Sequence, residues 1–396
     1  MTQPQQSEQS EELLRLLALL VQTESTSGTP GEIAALRLVH DWMVEACGEH
    51  ADVSLLADDG QPRSLLITPR NGTRARETEA SITGHSPHRK LLLFSGHVDT
   101  VPTGDEDAWE GEPRSAEIRD GRMFGRGTSD MKSGLAASML AVVTLLRESA
   151  PVALLVSTGE ELGCLGVQTA LEAVRGLEIG AVIVPESTEN EIMLGHRGAL
   201  WVRGVADGVA AHGSTPERGV NAIARAMSVL ARLEEAPLHS HPELGRESVN
   251  LGVIRGGEVP NIVPERCEFE VDVRMVDDDA ARILDWWRSH EAIERLEVTL
   301  DLAPVWTPVD HPWVASLQPS AAAGPVSYFT DASRLVRVLP AGTPVVIWGP
   351  GDPSTVHALN ESVDLTLVED ALSLYLSAGR DWRARCSPCS PDCTVS

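Results

Sequence analysis

Positive charge is in short supply in this sequence. Thirty-two lysines and arginines face 58 aspartates and glutamates, a formal net charge of −26. A phosphate backbone repels such a surface, which argues against nucleic acid and, for the same reason, against an anionic membrane. Solubility alone also accounts for the charge. Long hydrophobic runs are missing as well. Leu13 to Val21, which follows a polar, acidic start, is too short to span a bilayer and has neither a basic flank nor a cleavage site. It reads as the first amphipathic helix, and with no export signal the expected location is the cytoplasm. Six cysteines do not make a disulfide framework in a chain of this size. Cys47, Cys164 and Cys267 are scattered and expected to be buried. Cys386, Cys389 and Cys393 cluster in a Ser/Pro-rich end. Three thiolates fall short of the usual four-ligand structural zinc site, so 385–396 is expected to be a disordered tail. Internal repeats are absent. The sequon at Asn71 carries little weight without secretion.

What is present describes an ordinary globular protein: 396 residues, 42% hydrophobic and 23% charged, enough for two domains with separate cores. Leu13 to Val21 and Glu32 to Ala46 have helical spacing, and Ser64 to Pro69 reads as a strand. Asn71 to Lys90 is polar and rich in turn formers and is expected to be a solvated loop, whose His85 and His88 could be ligands but are expected to be surface residues. Leu91 to Ser95, Val152 to Ser157 and Ala181 to Pro185 are short apolar runs of the kind buried on both faces of a sheet. Gly134 to Arg147 reads as a helix. Strands alternating with helices predict an α/β sheet. From about Arg197 the order becomes strand (199–205), helix (216–235), strand (248–254), strand (267–276), helix (278–290), strand (296–302), the β-α-β-β-α-β ferredoxin-like unit. Helix 333–338, strand 345–348 and helix 363–378 then resume the α/β pattern. The expected organisation is a first catalytic segment 1–196, an inserted domain 197–303, a second catalytic segment 304–384 and the tail.

Metal-binding residue types stand where these strands run into turns. His97 and Asp99 follow the strand 91–95 and share a face if the chain stays extended. A metal-binding imidazole usually has its second nitrogen held by a carboxylate, so His97 is read as a ligand and Asp99 as its orienting partner. An ordinary strand-end His–Asp pair is the competing reading. Asp130 stands before a helix in Gly125-Arg126-Gly127-Thr128-Ser129-Asp130, and its two oxygens could bridge two cations. That segment lacks the third glycine of a dinucleotide fingerprint and the second glycine of a phosphate loop. Glu160 and Glu161, flanked by glycines after an apolar strand, are costly to crowd together unless a cation neutralises them. One of them can bind metal while the other handles a proton. A solvated acidic turn is the alternative. Glu186 closes the next strand. Far downstream, Gly349-Pro350-Gly351-Asp352 leads to His357, just before Asn360-Glu361, and His357 completes the ligand count.

Ser-Gly-His-Val-Asp-Thr-Val-Pro (95–102), Gly-Arg-Gly-Thr-Ser-Asp-Met-Lys-Ser-Gly (125–134), Gly-Glu-Glu-Leu-Gly (159–163), Ala-His-Gly-Ser-Thr-Pro (211–216) and Pro-Asn-Ile-Val-Pro (260–264) occur in that order. With these motifs, from about Leu13 to Ala378, the chain resembles the di-zinc aminoacylase-type hydrolases: acetylornithine deacetylase, succinyl-diaminopimelate desuccinylase, aminoacylase and carboxypeptidase G. The resemblance implies a mixed-sheet zinc-exopeptidase-like catalytic domain with an inserted lid and dimerisation domain, in a homodimer. It implies that His97, Asp130 and Glu186 hold one divalent cation and Asp130, Glu161 and His357 the other. The metal would be zinc, with cobalt or manganese acceptable to the same ligands. It makes Glu160 the general acid/base, His212 an oxyanion-stabilising group reaching the partner subunit's site, and Arg197, Asn261 and Arg274 substrate contacts. Three of these residues have plainer alternatives: Arg274 can pair on its strand with Asp272 or Glu270, and Asn261 can cap a turn. His212 can be a simple loop residue. Ser133, Val356, Arg114 and Ser187 differ from the residues common in the family, and none of them removes a ligand. The implied reaction is hydrolysis of an N-acyl amino acid. A dipeptidase or exopeptidase of the same chemistry and a non-catalytic binding protein on the same fold are the alternatives.

Overall fold

The computed structural model describes residues 3–70, 90–317 and 324–385. His85 and His88 of the polar loop, and Cys386, Cys389 and Cys393 of the tail, lie outside the described residues. The chain divides into two units, Met1–Gly195 with Thr307–Ala323 and Thr330–Ser396, and His196–Trp306 with Gly324–Phe329.

The first unit is built on a mixed six-stranded sheet. Its order is Ala51–Asp58, Gln61–Pro69, Val152–Ser157, Leu91–His97, Ile179–Val184 and Val345–Ile347. The first two strands form an antiparallel hairpin joined antiparallel to Val152–Ser157, and the remaining four run parallel. Leu91–His97 and Val152–Ser157 are buried at every position. Side chains alternate between faces along a strand, so both faces of the sheet centre are covered. The helix Ser133–Arg147 packs against Leu365–Arg385, Gln3–Gln22 and Pro30–Cys47. All of its positions except Thr144 and Arg147 are buried. Among the described residues, Thr128–Arg147 is the one stretch apolar and long enough to cross a membrane, and all of it except Asp130, Thr144 and Arg147 is buried inside the protein. Its apolar surface belongs to the core.

The second unit has four antiparallel strands in the order Ser248–Gly256, Arg266–Met275, Gly198–Asp207, Arg295–Leu302. Ala222–Leu230 and Ala280–Arg288 are its two longer helices. Alternate residues Cys267, Phe269, Val271, Val273 and Met275 are buried with Ala222, Ala226, Val229, Ile283 and Trp287 in one core, where the Phe269 and Trp287 rings lie 5.3 Å apart. This is the ferredoxin-like arrangement.

Two elements differ from the sequence expectation. The helix expected over 216–235 is broken. Val209 and Val220 exchange both backbone hydrogen bonds at 2.9 Å, so the chain is extended there. The helix begins only after Asn221, whose side chain caps Ala224 N at 3.0 Å. The helix expected from 363 starts at Leu365, because Ser362–Asp364 pairs as a strand with Arg122–Phe124.

Gly134 opens the long core helix against the end of the strand Ile179–Val184. A Cβ at Gly134 would lie 1.8 Å from the Pro185 carbonyl oxygen, so the helix and the strand end would have to move apart. Gly134→Ala is expected to destabilise the protein by about 2–3 kcal/mol, read as a lower Tm and urea midpoint. An unchanged midpoint would contradict this packing.

Candidate metal centre

In open α/β sheets ligands collect at the carboxyl ends of the parallel strands, and four such ends supply this site. His97 is the last residue of Leu91–His97. Glu160 and Glu161 lie in the turn after Val152–Ser157, Glu186 follows Ile179–Val184, and the loop after Val345–Ile347 leads to His357. Asp130 sits in the segment Thr128–Lys132 that runs into the core helix.

Asp130 is the centre of the geometry. Its Oδ1 is 3.3 Å from His97 Nε2 and its Oδ2 is 3.2 Å from His357 Nε2. His97 Nε2 is also 3.2 Å from Glu186 Oε1, and His357 Nε2 is 3.1 Å from Glu161 Oε1. The result is two groups, His97–Asp130–Glu186 and Asp130–Glu161–His357, each with its candidate ligand atoms within 4.8 Å of one another. Glu160 stands beside both, with Oε2 4.0 Å from His97 Nε2.

The donor set fits divalent cations. His97 is 1% exposed, and its Nε2 has no hydrogen-bond partner although two carboxylate oxygens flank it. Two donors held about 2.0–2.1 Å from one cation at the tetrahedral angle lie roughly 3.3 Å apart, which is the spacing seen. The charge balance points the same way. Burial pushes the Glu160 carboxyl well above the usual range, with Glu186, Asp331 and Glu161 adding to it and His97 opposing. Burial and the Asp130 charge lift Glu186 to about 7, and burial raises Glu161. Burial also acts to lower the His97 imidazole, but Asp130 and Glu186 outweigh it and hold His97 well above its ordinary value. Hydrogen bonds to Asp130 and Glu161 raise His357 to about 10. Crowded buried carboxylates of this kind are relieved when a cation takes the place of the protons.

Supporting contacts come from distant parts of the chain. Glu361, fully buried, accepts hydrogen bonds from Asp130 N (3.0 Å), Ser129 N (2.9 Å), Gly127 N (3.0 Å) and Arg126 Nη1 (2.7 Å). That carboxylate fixes the loop carrying Asp130. The nearest partner of His97 Nδ1 is the Asp99 main-chain carbonyl at 3.0 Å, while the Asp99 carboxylate is 3.6 Å away. That carboxylate also accepts from Ser27 Oγ (2.6 Å), Glu160 N (3.2 Å) and Glu161 N (3.3 Å). Sequence reasoning used Asn360-Glu361 only as a landmark for His357. The signal for Glu361 was its place beside that histidine, and nothing marked Ser27.

His212, Asn261, Arg197 and Arg274 belong to the second unit. His212 is exposed, and its Nδ1 accepts a hydrogen bond from Ser214 N at 3.1 Å. In the neutral ring the proton is therefore on Nε2, which is free to donate. Gly213 N donates to Asn261 O at 2.7 Å, which brings Asn261 beside His212. Arg197 Nη1 donates to Arg246 O at 3.3 Å. Arg274 Nε pairs with Asp272 Oδ2 at 3.0 Å and its guanidinium lies over Phe329, the strand pairing that competes with a substrate role.

The family description "Peptidase family M20/M25/M40" matches residues 93–380. The succinyl-diaminopimelate desuccinylase of Roseobacter denitrificans is 32% identical over 285 residues, covering 68% of this chain and 69% of the relative. The M20 family metallo-carboxypeptidase Sso-CP2 from Sulfolobus solfataricus superposes with a TM-score of 0.72 at 19% identity, over 94% of this chain and 99% of its own. The Bacillus subtilis YXEP protein, a dinuclear metal-binding peptidase, gives 0.68 at 12% identity, over 96% and 99%. The match spans both the strand-end cluster and the unit that interrupts it, and this chain belongs to peptidase family M20/M25/M40 as one of its hydrolases.

Proposed function

We propose that the protein is a metal-dependent amidohydrolase that releases the free amine from an N-acyl amino acid, with an N-succinyl or N-acetyl derivative of a diaminopimelate- or ornithine-like amine as substrate. The single observation that carries this reading is Asp130, which turns one carboxylate oxygen to each of two imidazoles. The relative at 32% identity, a desuccinylase by name, favours a deacylase over a dipeptidase.

In this reading His97, Asp130 and Glu186 hold one cation and Asp130, Glu161 and His357 the other. Zinc is the first choice, with cobalt or manganese accepted by the same ligands. When bound, the pair supplies Lewis-acid activation of a water and of the amide carbonyl. Glu160, buried and bearing a raised pKa, takes the water's proton and returns it to the departing amine. His97 is aligned by the Asp99 carbonyl, and the Asp99 carboxylate holds the backbone of the two glutamates. His212, with its proton on Nε2, is assigned to the oxyanion in the partner subunit's site, and Arg197, Asn261 and Arg274 to the substrate carboxylate and its neighbours. The second unit serves as lid and dimerisation surface of a homodimer. The unpaired, buried Cys47, Cys164 and Cys267 fit a reducing compartment, and the cytoplasm is part of the reading.

Glu160→Ala is expected to retain both cations by elemental analysis while turnover of N-succinyl and N-acetyl amino acids falls about 10²–10⁴-fold. His97→Ala is expected to lose metal. Full activity in Glu160→Ala would remove the acid/base assignment, and a wild-type protein that cleaves dipeptides but no acylated amino acid would replace the substrate class. Metal loading is also expected to be linked to protons. His97 and His357 both hold protons above their ordinary pKa without metal, and a ligand nitrogen must give its proton up. Zinc affinity should therefore fall as pH is lowered, and titration calorimetry in buffers of different ionisation enthalpy should show net proton release near pH 7. Proton-neutral binding would contradict the arrangement.

A further inference from the structure

The turn that carries Glu160 contains three residues with left-handed backbone: Gly159 (φ 62°), Gly163 (φ 100°) and Cys164 (φ 59°). Glycine adopts this conformation without strain and a side-chain-bearing residue does not. Two of the three positions are glycine, and the third is a cysteine that is fully buried. Its Sγ lies 3.7 Å from Glu160 Oε1, within the range of a thiol hydrogen bond. The other oxygen of that carboxylate, Oε2, is the one 4.0 Å from His97 Nε2. The turn is anchored from outside: Arg334 donates from Nε to Cys164 O at 2.8 Å and from Nη2 to Gly163 O at 2.9 Å. Three residues earlier, Asp331 is hydrogen-bonded to Ser157 Oγ at the end of the strand that leads into the turn.

We propose that Cys164 is a positioning residue for Glu160: its thiol donates to Oε1, holds the carboxylate in one orientation and leaves Oε2 to face the metal centre. A glycine at 164 would relieve the backbone but leave Oε1 buried without this donor. A carboxyl group with one oxygen tethered has one productive orientation, which favours proton transfer at the other oxygen. Burial, with Glu160 and Asp331 nearby, keeps the thiol protonated and able to donate. Asp331 is the rival acceptor for the same proton, since it too lies against the thiol.

The inference rests on the reading of Glu160 as the acid/base, and the test separates the two. The first arm needs no turnover. The S–H stretching band of Cys164, identified by its loss in Cys164→Ser, is recorded by infrared difference spectroscopy in the zinc-loaded full chain. Glu160→Gln should shift the band and Asp331→Asn should leave it in place. A band indifferent to Glu160→Gln, or one that follows Asp331→Asn alone, would overturn the proposal. The second arm uses the acylated amino acid that the wild type hydrolyses. Cys164→Ala and Cys164→Gly should each lower kcat about tenfold with KM within about twofold. Cys164→Ser, which restores a donor, should recover most of that loss. Cys164→Gly should do so without a lower Tm, which separates lost positioning from lost stability. Equal kcat in the alanine, glycine and serine variants would overturn the proposal, whereas full activity in Glu160→Ala would instead remove the acid/base reading on which it stands.

Discussion

One carboxylate between two imidazoles organises this protein. Asp130 cannot face His97 and His357 at once unless its loop is held, and Glu361 holds it through three backbone N–H groups and Arg126. Hydrogen bonds to an ionised acceptor are the strong ones, and here they are buried, where an unpaired carboxylate would be costly. The Glu361 carboxyl is nonetheless raised by burial, with the backbone donors and Arg126 acting against that. The site thus consists of layers of negative charge, each neutralised by a different device: backbone N–H groups around Glu361 and Asp99, and cations, in the proposed reading, around Asp130, Glu161 and Glu186.

The sheet makes this assembly possible. Four parallel strands end on the same side, so residues far apart in sequence meet without long excursions of the chain. The core helix Ser133–Arg147 follows directly from the Asp130 loop, and its first turn packs on the Pro185 carbonyl next to Glu186. Two members of one ligand group are therefore tied through a contact that only glycine allows. The second unit, with an alternating strand pattern and its own aromatic core, folds around a separate set of contacts. It carries His212 and the candidate substrate residues.

Much of this was legible in the sequence because two physical signals are local. Continuous apolar runs marked the buried parallel strands, and carboxylates or histidines placed immediately after them marked the strand-end cluster. Both signals act over fewer than ten residues or so. The failures lie where the determining partner is distant. Val220 is drawn out of the expected helix by Val209 through a backbone bridge, and Ser362–Asp364 is drawn into a strand by Arg122–Phe124. Glu361, Ser27 and Asp331 support the site from other segments of the chain, and no spacing rule relates them to Asp130 or Glu160.

Asp130 is proposed to serve two cations at once. Elemental analysis of purified protein after zinc loading and removal of excess metal tests it most directly. Two zinc ions per chain are expected in the wild type, one in a variant that lacks a terminal ligand such as His357→Ala, and none in Asp130→Ala with the fold intact by circular dichroism. An Asp130→Ala protein that keeps one or both ions would contradict it.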